Sequence, residues 1–138
     1  MKKSYLHKQL SFLLIVLITI GMAIRLIFPP YFDIGKLIPE ASFTDAELFN
    51  SFITDPIDAQ SRFARKAILL EGRITGLDDG MILMGKGMEM VRVKLIKNWR
   101  YPVPEYHYDD KIQIKGICQG LDLTEVLVTH AFIVTVRE

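Results

Sequence analysis

The stretch KIQIKGICQG, residues Lys111–Gly120, alternates apolar and polar side chains and is interrupted by Gly116 and Gly120. Alternation with a period of two indicates a β-strand with one buried face. A glycine inside a strand marks a place where the backbone bends or where another segment approaches closely. The stretch therefore predicts a strongly curved strand of the kind that builds small barrels.

Four further segments carry the same signal. They are residues 67–77, 81–85, 88–96 and 125–136. Turn residues separate them, and Gly72 and Gly76 again lie inside a strand. Five short strands with internal glycines fit a small closed barrel, and the OB-fold is the common five-stranded solution. We therefore predict a mainly β protein built on a five-stranded, OB-fold-like barrel.

The N-terminal segment is apolar enough to be a membrane helix. Leu10–Phe28 contains a single charge, Arg25, and its 19 residues would span about 28 Å, close to the hydrocarbon thickness of a bilayer. Three lysines precede the segment, so the positive-inside rule predicts a cytoplasmic N-terminus and an extracytoplasmic, periplasmic barrel. The alternative is a cleaved signal peptide, because Gly21 and Ala23 have the spacing of small residues that a signal peptidase accepts.

Two short helices are predicted between this anchor and the barrel. Thr44, followed three residues later by Glu47, forms a capping box, and Asp55 followed by Pro56 begins a second helix. Their apolar sides are predicted to contain Phe43, Leu48, Phe49, Phe52 and Ile53 in the first helix and Ile57, Phe63 and Ala64 in the second. The predicted organisation is a cytoplasmic stub and transmembrane anchor (1–32), a connector and helical lead (33–65) and the barrel (66–138).

Charge and cysteine content narrow the function. From Asp33 onward the net charge is −3, whereas a nucleic-acid-binding protein needs a basic surface to neutralise phosphates. Cys118 is the single cysteine, so the chain forms no internal disulfide, and its strand position predicts a buried thiol. No catalytic elbow, phosphate-binding glycine loop or zinc-ligand spacing occurs. We therefore predict a binding protein rather than an enzyme, and no cofactor.

The candidate ligand surface is the connection after the third strand, together with the neighbouring strands. Its candidate residues are Arg92, Lys94, Trp99, Arg100, Tyr101, Tyr106, His107 and Tyr108. OB-folds bind on this side of the barrel, and the predicted partner is an envelope protein, a peptide or a glycan. Two other interpretations are a nucleic-acid platform, which the acidic charge disfavours, and aromatic rings that simply cover the open end of the barrel.

A methionine cluster gives an alternative function. Met81, Met84, Met88 and Met90 lie within ten residues of one another, and His107 follows. Thioether sulfur and imidazole suit Cu(I), so these five residues form a hypothetical copper-handling site. Methionine also fills gaps in cores, and Met81 and Met84 lie on opposite sides of one predicted strand.

Two quoted stretches carry a family resemblance. They are FTDAELFNSFITDPIDAQSRFARKAILLEGRITGLDD (43–79) and KIQIKGICQGLDLTEVLVTHAFIV (111–134). Their motifs, chiefly EG at 71–72 and KGICQG at 115–120, resemble the membrane-anchored OB-fold proteins grouped as tRNA anti-codon-binding-like. The resemblance implies an OB-fold and an envelope location, and it implies no activity.

Overall fold

The computed structural model describes residues 2–27 and 33–138. These residues belong to two compact units, an N-terminal one that ends at Asp33 and a second one, Ile34–Glu138. The predicted helical lead and the predicted barrel therefore fold together in the second unit.

The N-terminal unit contains one helix, α1 (Lys2–Ile27). Within it, His7–Leu26 has a mean hydropathy of 2.1 and is long and apolar enough to cross a membrane. This statement rests on length and composition, and a signal sequence would have the same properties. Phe28, the last residue of the predicted span, lies outside the described residues.

Five strands of the second unit form a closed barrel. They are β2 (Ala67–Asp78), β3 (Met81–Lys86), β4 (Glu89–Leu95), β5 (Lys111–Asp122) and β6 (Glu125–Arg137). They pair in the order β2, β3, β4, β6, β5, and β5 pairs again with β2 to close the barrel. Only the pairing of β4 with β6 is parallel among these five. The predicted OB-fold barrel is confirmed.

A short strand that the sequence did not predict precedes the barrel. This strand, β1 (Ala41–Thr44), pairs in parallel with the first part of β2, from Ala41 beside Ile68 to Thr44 beside Glu71. Four residues are too few for alternation to be recognised, and Thr44 also serves as the cap of the next helix. The connector is consequently an edge of the sheet as well as a link to the helices.

The two predicted helices are present as α2 (Asp45–Thr54) and α3 (Pro56–Phe63). The capping box is confirmed: the Glu47 amide donates to Thr44 Oγ1 at 3.3 Å, and the Thr44 amide donates to Glu47 Oε2 at 2.8 Å. In the second helix, Asp55 Oδ1 accepts the Asp58 amide at 3.0 Å. These caps satisfy backbone N–H groups that an uncapped helix start leaves without acceptors.

The helices extend the barrel core. Leu48, Phe52 and Phe63 are buried in one cluster with the inward-facing residues of the strands. α2 contacts β2, β3, β4 and β6, so it covers an end of the barrel. Ile53 and Ile57, which were predicted to lie on the apolar sides of the helices, are instead exposed. Each lies next to the junction between the two helices, where the chain changes direction and the stripe of one helix does not continue into the next.

Gly116 of β5 lies where this strand closely approaches β6. A Cβ on Gly116 would be 2.7 Å from Val128 Cγ1 and 2.9 Å from Ala131 Cβ, both on β6. Cys118, two residues further on, is fully buried, as predicted. Glycine at position 116 therefore permits the close approach of β5 and β6 in the bent part of the barrel.

Candidate functional site

The outer face of β3, β4 and β6 forms a continuous surface. Alternate residues of these strands point into the core, and the others point outward. The pairing register places Leu83, Arg92 and Leu127 side by side across the three strands, and it pairs Met81 with Lys94. This is the side of the barrel where OB-folds bind their ligands.

A cleft opens on this face beside the β5–β6 turn. It has a volume of about 430 Å³ and is lined by Met81, Arg92, Asp122, Leu123, Thr124, Glu125 and Leu127. Leu123, at the tip of the turn, is almost fully exposed. The cleft thus combines exposed apolar side chains with two carboxylates and one guanidinium.

The guanidinium of Arg92 is held by acidic side chains. Its Nη2 donates to Glu125 Oε1 at 3.3 Å, and its Nε lies 2.8 Å from Glu125 Oε2. Asp78 Oδ2 lies 3.7 Å from Nη1 on the other side. Two carboxylates therefore offset the charge of Arg92 before any ligand arrives.

A second cleft continues the same face. It has a volume of about 580 Å³ and is lined by Lys94, Leu95, Ile96, Gln119, Leu127, Thr129 and His130. Leu127 lines both clefts, so together they form one surface, which we call the β3–β4–β6 groove. Carboxylates lie at one end of the groove, and Lys94 and His130 lie at the other.

A hydrogen-bond chain orders the second cleft. Gln119 Nε2 donates to Thr129 Oγ1 at 2.7 Å, and Thr129 Oγ1 lies 3.1 Å from His130 Nδ1. His130 has a φ of +49°, in the left-handed region. The β4–β6 and β5–β6 registers both shift close to this residue. The resulting bulge directs His130 outward, and such bulges commonly re-aim side chains beside binding sites.

The structure divides the predicted site residues among several places. Arg92 and Lys94 line the groove. Trp99 and Arg100 form an exposed turn, with the Arg100 guanidinium 5.2 Å from the centre of the Trp99 ring. Tyr101 instead stacks on Phe132, with ring centroids 4.5 Å apart.

The remaining predicted residues lie near Asp110 and the barrel core. Tyr106 is partly buried against the core, whereas His107 and Tyr108 are exposed. The His107 amide donates to Asp110 Oδ2 at 2.7 Å, and this bond fixes the end of the connection. Of the aromatic rings predicted to cover the barrel, Tyr106 alone packs against the main core among the described residues.

The sequence analysis did not predict several residues that line the groove. They are Asp122, Leu123, Glu125, Leu127, Thr129, His130 and Gln119. All of them come from β5, β6 and the turn between these strands. The parallel pairing of β4 with β6 brings them beside Arg92, and alternation within one strand carries no signal for which strand lies next to it.

The methionines of the hypothetical copper site lie in different surroundings. Met84 is fully buried in the core, Met88 is 88% exposed, and Met81 lines the groove. Met90 lines a separate cleft. No group of three or more His, Cys, Asp or Glu side chains in the part of the chain that the structure describes is arranged to hold a metal ion. The Cu(I) hypothesis stays a prediction that this arrangement of sulfurs does not support.

The separate cleft, beside Tyr108, has a volume of about 850 Å³ and is rich in charged groups. Arg73 Nη1 lies 3.6 Å from Asp109 Oδ1, and Lys111 forms an ion pair with Glu71. The hydrogen bond and charge of Lys111 lower the pKa of Glu71. Arg73 and Glu71 of β2 are thus paired with Asp109, in the turn before β5, and with Lys111, at the start of β5, so the cleft offers a ligand less unsatisfied charge than its size suggests.

No family model matches the sequence, and no curated protein matches it. Among solved structures, the chain is similar to a "putative nucleic acid-binding lipoprotein" from Klebsiella pneumoniae, with 16% identity, a TM-score of 0.55, and coverage of 68% of this chain and 91% of that one. It is also similar to the telomere capping protein Ten1 from Saccharomyces pombe (10% identity, TM-score 0.44, coverage 73% and 81%). A chain of the S. pombe Stn1–Ten1 complex gives 10% identity, a TM-score of 0.45 and coverage of 77% and 81%. The first likeness shows the fold, and the two weaker ones add nothing to it.

Proposed function

We propose that this chain is a membrane-anchored OB-fold module that binds an extended polypeptide segment outside the cytoplasm. The binding surface is the β3–β4–β6 groove. The observation that carries the proposal is the composition of this groove, with Leu127 in the middle, carboxylates at one end and Lys94 with His130 at the other. A polypeptide can match apolar and oppositely charged positions within one short segment, and an open sheet face suits an extended chain.

The groove is poorly suited to nucleic acid. Arg92 is offset by Glu125 and Asp78, and Asp122 adds a further carboxylate to the same cleft. Phosphate binding requires cations that release counterions, and single-stranded binding requires aromatic stacking platforms. The residues that line the two clefts include no Phe, Tyr or Trp side chain. The same lack disfavours a glycan, since sugar rings stack on aromatic faces.

The membrane part of the proposal rests on the apolar span of α1 and on the lysines in the first turns of this helix. A span of apolar residues behind a basic start favours an anchor whose following domain is translocated. The resemblance to the tRNA anti-codon-binding-like envelope proteins supports the same location. Alkaline phosphatase fused after Glu138 should be active in bacterial cells, because this enzyme needs the oxidising periplasm. An inactive fusion in the membrane fraction would contradict the proposed orientation.

Peptide selection tests the binding site. The full chain, embedded in nanodiscs, is used to select ligands from a random peptide library, and the enriched peptide is titrated by fluorescence anisotropy. Leu127→Ala removes the side chain shared by both clefts and should weaken binding by about tenfold, or 1.4 kcal/mol. The matched control is Ile53→Ala, which should leave the affinity unchanged because Ile53 is an exposed residue of α2 that lines neither cleft.

Two results would contradict the assignment. One is an enriched peptide whose affinity does not change with Leu127→Ala. The other is tight binding of a labelled oligothymidylate whose affinity falls steeply with salt, since this would indicate phosphate contacts.

A further inference from the structure

A tight turn holds the single tryptophan of the chain in solvent. Asn98 Oδ1 accepts the Arg100 amide at 2.9 Å and the Tyr101 amide at 3.0 Å, and Asn98 pairs with Tyr101 as a β-bridge. Trp99, at the tip of this turn, is 83% exposed. The turn is therefore an ordered structure that presents a large aromatic side chain to solvent.

The turn is fastened to the connector that follows α1. The Tyr101 ring stacks on Phe132, and its hydroxyl accepts the Gly35 amide at 2.9 Å. Lys115 Nζ donates to the Gly35 carbonyl at 3.0 Å, and Ile34 is fully buried beside them. The connector and the Trp99 turn thus form one rigid region of the barrel surface.

Chain length ties this region to a bilayer if α1 spans one. Ile34 follows Ile27, the last residue of α1, by seven positions. Seven residues extend at most about 25 Å. Ile34, against which Tyr101 packs, is therefore separated from the end of α1 by no more than this length of chain.

The exposed side chains of this region have the composition of a membrane-facing surface. Besides Trp99, Ile38 is 90% exposed. Lys36, Lys97 and Arg100 are exposed cations close to them along the chain, with Asp33 and Glu40 as the nearby acids, and Lys97 Nζ lies beside Gly80 of the β2–β3 turn. Tryptophan favours the boundary between headgroups and acyl chains, and lysine and arginine are attracted to anionic headgroups.

From these observations we propose that the Trp99–Arg100 turn, with Lys97, seats the barrel on the anionic surface of the membrane that α1 spans. Trp99 enters the headgroup region, and the two cations contact lipid phosphates. This inference rests on the proposed membrane anchor, but it is independent of the groove. It also assigns Trp99 and Arg100 a partner different from the ligand of the groove.

The fluorescence of Trp99 tests the proposed contact with lipid directly, because Trp99 is the only tryptophan in the chain. The full chain is reconstituted in nanodiscs of phosphatidylcholine alone or mixed with phosphatidylglycerol. In anionic discs we expect a blue-shifted emission, protection from aqueous iodide and quenching by lipids with brominated acyl chains. Trp99 that stays red-shifted and open to iodide in anionic discs would overturn the proposal.

Charge variants test the contribution of the turn. Lys97→Gln combined with Arg100→Gln should lower the ratio of lipid-seated to solvent-exposed Trp99 by about fivefold per charge removed. Lys86→Gln removes an exposed lysine of β3 that lies outside both the groove and the turn, and it is the matched control, with no change expected. An equal effect of Lys86→Gln would overturn the assignment, because the attraction would then be a general effect of charge.

Two further outcomes separate the possible failures. If the chain does not enter nanodiscs at all, the anchor and this inference fail together. If the chain enters the discs and Trp99 is shielded only after a peptide is added, the turn is a protein contact, and the lipid seat alone is wrong.

Discussion

Gly116→Ala tests whether β5 and β6 approach as closely as the barrel requires. The added methyl group would lie 2.7 Å from Val128 Cγ1, 2.9 Å from Ala131 Cβ and 3.2 Å from Ala131 Cα, and the last of these is backbone. Overpacking of this kind costs about 1–3 kcal/mol. Alanine also lowers the conformational entropy of the unfolded chain relative to glycine, and this offsets about 0.4–1 kcal/mol of the loss. We therefore expect a net loss of about 1–2 kcal/mol in the free energy of unfolding.

Gly76→Ala is the matched control for this change. Its nearest contact would be Leu83 Cδ1 at 3.1 Å, which is the end of a side chain on the outer face and can rotate away. Neither Gly76 nor Gly116 has a positive φ, so alanine is compatible with the backbone at both positions. We expect Gly76→Ala to stay within about 0.5 kcal/mol of the parent chain.

Thermal unfolding of the full chain in detergent, followed by the β-sheet signal in circular dichroism, measures the difference. A loss of 1–2 kcal/mol should lower Tm by roughly 5–10 °C for a unit of this size. Adding Val128→Ala to Gly116→Ala removes the closest contact. The double variant should therefore lose about 1 kcal/mol less free energy of unfolding than the two single variants lose together. Equal stability of the Gly116→Ala and Gly76→Ala variants would refute the close approach and with it the described closure of the barrel.

Three further predictions concern single contacts. Tyr101→Phe removes the acceptor of the Gly35 amide and should cost about 0.5–1.5 kcal/mol, with faster hydrogen exchange at that amide; unchanged exchange would contradict the bond. Burial raises the pKa of the Cys118 thiol from 9.0 to about 11, so the folded state keeps this proton longer than the unfolded state. Stability from this thiol is complete below pH 9.0 and is lost as the pH rises towards 11, by roughly 3 kcal/mol in total. Urea unfolding at several pH values should show this loss in the parent chain and not in Cys118→Ala. Thr44→Ala should cost about 0.5–2 kcal/mol by removing the helix cap, whereas Thr44→Ser keeps the hydroxyl acceptor and should cost less; equal losses, measured by the same unfolding assay, would argue against the cap.

The elements that the sequence predicted well are those whose signals are local. Alternation located all five barrel strands, and the capping residues Thr44 and Asp55 located both helices. Alternation also predicted that Arg92 and Lys94 point outward, which places them in the groove. These signals operate over a few residues, so one sequence is enough to read them.

The features that the sequence did not predict depend on neighbours that are distant along the chain. Leu127 and His130 lie in the groove because β6 pairs in parallel with β4, and this pairing joins residues far apart along the chain, such as Arg92 and Leu127. The exposure of Trp99 depends on Asn98, whose side chain closes the turn, and on Tyr101, which turns inward to Phe132. A cluster of aromatic residues in one connection does not reveal which rings pack inward and which remain outside.

The assignment of the groove also changes how its charges are expected to act. Because Glu125 and Asp78 already hold Arg92, a ligand that reaches this cleft must compete with or join an existing ion-pair network. Such a network favours selectivity over raw affinity, since a ligand with the wrong charge pattern leaves a partly buried charge uncompensated.

The parallel pairing of β1 with β2 has a mechanical consequence. If α1 anchors the chain in a membrane, tension on this tether would enter the barrel unit at Ile34 and reach, through the connector, the ladder that joins Ala41–Thr44 to Ile68–Glu71. Hydrogen bonds arranged side by side along such a ladder share a load applied along the strand, instead of opening one after another. The Glu40 amide donates to the Ala67 carbonyl at 2.7 Å and adds one more hydrogen bond just before β1 begins. With such an anchor, β1 would therefore carry part of the load before it reaches the strand pairs that close the barrel.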